Sequence, residues 1–213
     1  MIFLNFKIYR QTCGENTLKL CRLIRQLADK LVIPCLQAVD IYQVKQALPD
    51  LEIWAQHADP VESGKFTGWQ APASLKFAGA SGVLLNHAEH LLDWSTIIKT
   101  TAFCRKVGLK FMLMASDLAM ITKFNTLKPD FIAFEDPRLI GGPVAMIDAH
   151  EALIKKAVQV AQAPLIIGGG IRNKLHVQKA LAAGGAGVLV ASEFAKSDNQ
   201  EQTLKELILG LDR

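Results

Sequence analysis

The stretch Phe131-Ile-Ala-Phe-Glu-Asp-Pro-Arg-Leu-Ile-Gly-Gly-Pro143 opens on apolar residues suited to a strand and closes on a Gly-Gly-Pro cluster. It follows Lys128-Pro-Asp130, so Phe131–Phe134 reads as a buried strand. A single carboxylate, Glu135, stands at the strand's end. The next segment is stiffened at its start by Pro137, freed at its finish by Gly141 and Gly142, and apolar between. Such a segment is suited to swing over a ligand and exclude water. A carboxylate beneath it reads as a general base. Taken alone, it reads equally well as a surface Glu opening a loop.

Outward from this stretch, one order recurs: a short apolar run, a loop, an amphipathic segment. Ile2–Phe6 leads to a helix near Glu15–Lys30, and Val32–Leu36 to one near Ile41–Leu48, which Pro49-Asp50 closes. Leu51–Gln56 is the third run, followed by a long loop and a short helix near Pro72–Ala78. Gly82–Asn86 precedes Trp94–Val107, and Leu109–Met114 precedes Asp117–Thr126. Phe131–Glu135 precedes a helix near Asp148–Ala161. Pro164–Ile167 precedes Lys174–Ala183, and Gly187–Val190 precedes Gln202–Leu211. Eight βα units favour an α/β fold, a parallel sheet with both faces covered. An open doubly wound sheet usually carries a glycine fingerprint after its first strand, whereas Lys7-Ile-Tyr-Arg10 stands here. A closed, single (β/α)8 barrel over residues 1–213 is therefore expected, compact and with trimmed helices. Trimming leaves apolar helix faces less covered, which favours self-association.

The composition suits that architecture. Half the 213 residues are apolar and 21% are charged, ordinary for a globular chain with a large core. Lys and Arg exceed Asp and Glu by 24 to 20, spread along the chain instead of gathered in a block. This argues against nucleic-acid or membrane partners and suits a small phosphorylated ligand. The cysteines (Cys13, Cys21, Cys35, Cys104) are scattered, with no CxxC pair, as expected of reduced thiols. No apolar run approaches the roughly 18 residues of a membrane span, and Met1–Phe6 is too short for a signal sequence. A soluble, cytoplasmic protein is expected.

In a barrel, chemistry gathers where strands end. Strand one ends Asn5-Phe-Lys7, where an ammonium could hold an anion or simply face solvent. Strand three runs into the long loop Ala55–Gly68, rich in turn formers. An oligomer contact is one reading of it, and a metal site using His57 and Asp59 is another, though further ligands at suitable spacing are lacking. Strand four ends Leu84-Leu-Asn-His-Ala-Glu89. A histidine before a helix has its pKa lowered and can donate a hydrogen bond as neutral imidazole; a capping or packed histidine is the plainer reading of His87. Strands seven and eight end Ile166-Ile-Gly-Gly-Gly-Ile171 and Gly187-Val-Leu-Val-Ala-Ser192. Exposed backbone N–H groups and small residues there fit a phosphate.

Taken together, these segments resemble the triosephosphate isomerase family, most closely its shorter archaeal-type members. The resemblance spans nearly the whole chain in order: Asn5-Phe-Lys7 with Tyr9 and Thr12-Cys-Gly-Glu-Asn16; Ala55-Gln-His57, Asp59-Pro60 and Thr67-Gly68 as the intersubunit loop; Leu85–Glu89; Glu135–Gly142; Gly168–Ile171; and Gly187–Ser192. It implies a TIM barrel that interconverts dihydroxyacetone phosphate and glyceraldehyde 3-phosphate. Glu135 would be the base, His87 the electrophile, and Lys7 with Asn5 the stabiliser of negative charge, following the pattern established for this family. Backbone groups at Ile140, Gly170, Ala191 and Ser192 would bind substrate, chiefly its phosphate. No metal or organic cofactor is implied, and a dimer or tetramer is. Three residues depart from the pattern: Ala88 where serine is usual, His90 where arginine is usual, and Trp69 where the archaeal type has histidine. They leave room for a degenerate barrel that binds a phosphorylated metabolite without turnover. A barrel acting on another sugar phosphate usually has different acidic residues at strands one and five, whereas strand five here ends Leu113-Met-Ala-Ser116.

Overall fold

The computed structural model describes residues 1–28 and 30–211. Eight parallel strands close into a barrel in sequence order, β1 (Ile2–Asn5), β2 (Val32–Leu36), β3 (Trp54–Ala55), β4 (Gly82–Leu85), β5 (Lys110–Ala115), β6 (Phe131–Phe134), β7 (Leu165–Ile167) and β8 (Gly187–Val190). Ile2 lies opposite both Val32 of β2 and Val188 of β8, which closes the ring.

Alternation along each strand sorts the core into two layers. Phe3, Ile33, Cys35, Trp54, Leu84, Met112, Met114, Ala133, Ile166 and Leu189 fill the barrel interior. Their neighbours, such as Ile2, Leu4, Val83, Leu85, Phe111, Ile132, Phe134 and Val188, face the helices. Phe3, Trp54 and Phe131 meet edge to face inside the barrel, with centroids 5.1 to 5.8 Å apart. This plug makes the floor beneath the rim rigid. It requires Gly82: a Cβ there would lie 2.4 Å from the Trp54 indole.

The outer ring is α1 (Glu15–Ala28), α2 (Ala38–Ala47), α3 (Pro72–Ala78), α4 (Trp94–Lys106), α5 (Leu118–Asn125), α6 (Met146–Ala149), α7 (Glu151–Val160), α8 (Lys174–Ala182), α9 (Ser192–Ala195) and α10 (Gln200–Leu209). α1 buries Thr17, Leu20, Cys21, Ile24 and Ala28, the stripe that a 3.6-residue period demands. Asp93, Asp117 and Asn173 cap α4, α5 and α8 by accepting backbone N–H groups at 2.7–3.0 Å.

Several expected bounds shift. The expected Leu51–Gln56 strand pairs only at Trp54–Ala55, because Leu51 is turned back onto the Leu48 carbonyl (3.2 Å). The helix expected over Asp148–Ala161 begins at Met146 and breaks at His150, whose ψ of 34° leaves the helical region. Met146 N–H donates to the Gly169 carbonyl at 2.8 Å, so α6 is anchored to the loop after β7. The single-turn helices Arg10–Thr12, Pro137–Leu139 and α9 carry no sequence period that would have announced them. Asp29, within the helix expected to reach Lys30, and the final residues of the expected 1–213 domain lie outside the described residues.

Candidate active site

Strand parity decides which rim side chains face the axis. Phe3 points inward on β1, so Asn5 does too; Phe131 and Ala133 point inward on β6, so the series continues to Glu135; Ile166 is followed by Gly168. On β4 the inward series runs from Leu84 to Asn86. Asn86 takes a left-handed φ of 64° and ends the strand, with its amide donating to the Met114 carbonyl (3.0 Å) and accepting from Leu92 N–H (2.9 Å). That turn delivers the next residue, His87, to the cavity. Lys7 is also left-handed (φ 49°). Its N–H donates to Asn5 Oδ1 (3.0 Å), and Gln56 Nε2 donates to its carbonyl (3.0 Å) and to that of Cys35 (3.0 Å).

These turns bring Asn5, Lys7, His87, Glu135, Ile140, Gly170, Ala191 and Ser192 around one cavity of about 470 Å³, open mouth included. Glu135 Oε2 stands 3.7 Å from His87 Nε2. The other carboxylate oxygen lies so close to Gly168 that a Cβ there would sit 2.2 Å away. His87 Nδ1 accepts the Glu89 backbone N–H at 3.1 Å. In the neutral ring the proton therefore sits on Nε2, facing the cavity. Lys7 Nζ pairs with Glu89 Oε1 at 2.6 Å.

Burial pushes the Glu135 carboxyl up to about 7, opposed by the Lys7 ammonium and the Gly169 backbone and reinforced by Glu89. Burial also lowers the His87 pKa, with Glu89 opposing and Lys7 reinforcing. A poised carboxylate thus faces a neutral imidazole across a few ångströms, an arrangement able to move a proton on and off carbon.

Above them runs Asp136–Gly142. Asp136 accepts from Arg138 N (3.0 Å) and Nη2 (2.6 Å), and these bonds hold its carboxyl well below the usual range. Gly142 N–H closes the turn onto the Leu139 carbonyl (3.1 Å), and Ile140, Gly141 and Gly142 stand in the cavity wall. His57 and Asp59 bond to each other (3.2 Å), and Asp59 also holds Gln70 N–H (2.6 Å), so the base of the long loop is stapled. Among the described residues, no group of three or more His, Cys, Asp or Glu is placed to hold a metal ion. His90 stacks on His57 at 4.0 Å. Gln56, Asn86 and Glu89, which lie within the motifs quoted above, support the site without a role that the sequence assigns them; for Gln56 and Asn86 a polar residue directly after an apolar run is a usable signal, and for Glu89 there is none.

A closed parallel barrel with its polar side chains gathered at the C-terminal rim is the build of a (β/α)8-barrel enzyme. Comparison with known proteins narrows the class. The family profile "Triosephosphate isomerase" matches residues 1–117. The triosephosphate isomerase of Saccharolobus solfataricus is 35% identical, the match covering 98% of this chain and 94% of that one. That of Thermoplasma volcanium is 30% identical over 97% and 98%, and that of Methanobrevibacter smithii 29% identical over 98% and 97%. The crystal structure of triosephosphate isomerase from Bartonella henselae superposes with a TM-score of 0.73 at 18% identity, covering 99% and 97% of the two chains, a likeness of fold. The chain belongs to the triosephosphate isomerase family.

The raised Glu135 pKa has a consequence for stability. The folded protein binds this proton more tightly than the unfolded chain does. The stabilisation from that proton is complete below about pH 4.5, the unperturbed value, and is lost as pH rises through about 7. Glu135→Gln, which removes the buried charge, should therefore raise unfolding free energy at pH 8 by on the order of 2–3 kcal/mol and change it little at pH 4.5. Urea titration at both pH values checks this, and an equal effect at both contradicts it.

Proposed function

We infer that this chain interconverts dihydroxyacetone phosphate and D-glyceraldehyde 3-phosphate by proton transfer through an enediolate. Glu135 removes the proton from the carbon beside the carbonyl and returns it to the neighbouring carbon. His87, donating from Nε2, polarises the carbonyl oxygen and then serves the oxygens of the enediolate. Lys7 and Asn5 offset the negative charge of substrate and intermediate. Backbone groups at Ile140, Gly170, Ala191 and Ser192 receive the phosphate end, where the loops after strands seven and eight usually bind it. Asp136–Gly142, lying over the cavity, excludes the water that would protonate the intermediate or allow loss of phosphate. These steps draw only on groups of the protein itself.

The observation that carries this reading is the pairing of Glu135 and His87. One is held up by burial, the other is kept neutral with its Nε2–H turned toward the carboxylate 3.7 Å away. Ala88 supplies no hydroxyl to the neighbourhood of the base, which bears on the rate of the cycle more than on its chemistry. Cytoplasmic action belongs to the same inference; no described helix is long and apolar enough to cross a membrane.

The same reading includes self-association through the Gln56–Gly68 loop. Ile8 and Val39 line an open trough beside Lys7 together with Gln56, His57 and Gln70, and both are strongly exposed, at 75% and 82%. Phe66, Trp69 and Phe77 are exposed as well. Such apolar surface is in keeping with a dimer or tetramer.

Glu135→Asp retracts the carboxylate by about one C–C bond and should cut kcat by about 100-fold with KM within a few-fold. In the parent enzyme, kcat/KM should fall about tenfold per pH unit below about 7, as Glu135 protonates. A coupled assay with glyceraldehyde 3-phosphate checks both, and an unchanged kcat in the variant contradicts the assignment. Sedimentation at micromolar concentration should give two or four times the 23.3 kDa chain mass; a lone 23.3 kDa species refutes self-association.

A further inference from the structure

Arg172 lies one residue beyond the Gly168–Ile171 turn and lines the cavity together with Gly170, Ser192 and the two residues its guanidinium approaches, Gly142 and Glu193. Its main chain is fixed: Arg172 N–H donates to His176 Nδ1 (3.2 Å), and His176 Nε2 lies 3.0 Å from Asp148, which also holds Lys179 Nζ at 2.6 Å. Its guanidinium is held more loosely. Nη2 donates to the Gly142 carbonyl at the C-terminal end of the lid, and Nε stands 3.9 Å from Glu193 Oε2, too far for a hydrogen bond. A guanidinium carries five N–H donors, so several remain for a ligand. The Lys7 ammonium, which belongs to the same cavity, is already paired with Glu89 at 2.6 Å. The Arg172 side chain is about one-third exposed (32%), reachable from the cavity yet sheltered from bulk water.

We propose that Arg172 is a further substrate-binding residue: its guanidinium takes the phosphate dianion seated against Gly170 and Ser192 and, through the Gly142 carbonyl, ties that charge to the closed lid. The proposal rests on the isomerase reading of the cavity and adds a side-chain cation to a cradle otherwise built from backbone. Glu193 is its counterweight. A half-exposed monoanion at 3.9 Å gives way to a dianion, which makes shorter, charge-assisted and bidentate bonds with a guanidinium. Arg172 thereby selects for phosphorylated over uncharged three-carbon substrates, and lid closure becomes dependent on the phosphate.

The test compares the parent with Arg172→Ala, Arg172→Lys and Glu193→Gln. Turnover is measured with glyceraldehyde 3-phosphate and with unphosphorylated glyceraldehyde, and inorganic phosphate binding by calorimetry. Arg172→Ala should raise KM for the triose phosphate and Kd for inorganic phosphate about tenfold or more, change kcat only a few-fold, and leave kcat/KM for glyceraldehyde unaltered. Arg172→Lys should recover part of the loss, and Glu193→Gln should tighten phosphate binding. Unchanged phosphate affinity in Arg172→Ala would overturn the proposal. So would an equal loss on both substrates, the mark of a residue that merely props up the lid backbone. A parent without triose phosphate turnover would undo the isomerase reading instead, and calorimetry would still decide whether Arg172 binds phosphate.

Discussion

One oxygen of the Glu135 carboxyl is pressed against the bare Cα of Gly168, and the other faces His87 at 3.7 Å. That placement is what the rest of the structure supports. A carboxylate at the rim of a parallel barrel is ordinarily hydrated and acidic. Here the inward parity of β6 turns it toward the axis, Gly168 gives it room, and it lies buried in a cavity that Ile140, Gly141 and Gly142 also wall. Burial then raises its affinity for a proton to where neutral pH poises it between acid and base. On the proposed reading, the loss of stability at alkaline pH is what a base poised near neutral pH costs the fold.

The remaining charges are arranged so that this poise survives. Lys7 alone would drag Glu135 back toward an ordinary carboxylate, but Glu89 takes the ammonium at 2.6 Å and blunts it. The Glu89 backbone N–H also fixes which nitrogen of His87 carries the proton. Gln56 and Asn86 work one step further out, tying the left-handed turns at strands one and four to neighbouring carbonyls so that Lys7 and His87 arrive at fixed positions. Beneath them the Phe3–Trp54–Phe131 plug leaves the floor no freedom to relax. On the proposed reading, the rigid floor positions the reacting groups and the Asp136–Gly142 segment governs access.

Much of this architecture was legible before any coordinates. The apolar runs of β1, β2, β6 and β8 fall within a residue of their paired bounds, because a strand buried on both faces leaves an unbroken hydrophobic record. The gathering of Asn5, Lys7, His87 and Glu135 followed from strand ends sharing one rim. What escaped the sequence depends on three-dimensional contact. The break at His150 carries no glycine or proline to announce it. β3 shrinks because Leu51 is recruited to close the preceding turn. Asn86 shows in the sequence only as a polar residue after an apolar run, and nothing there announces the left-handed turn that brings His87 to the cavity. The guanidinium of Arg172 reaches the lid only because the loops after strands six and seven are adjacent, which no local pattern reveals.

The most direct test of the account is the protonation of the two facing groups themselves. Carbon and nitrogen NMR of protein labelled at glutamate and histidine, with Glu135→Gln and His87→Gln to assign the signals, follows both across pH 5 to about 9. On this account Glu135 is expected to titrate near 7, and His87 to be neutral with its proton on Nε2 at neutral pH and above. A Glu135 carboxyl titrating near 4.5, or a cationic His87 at neutral pH, would contradict it.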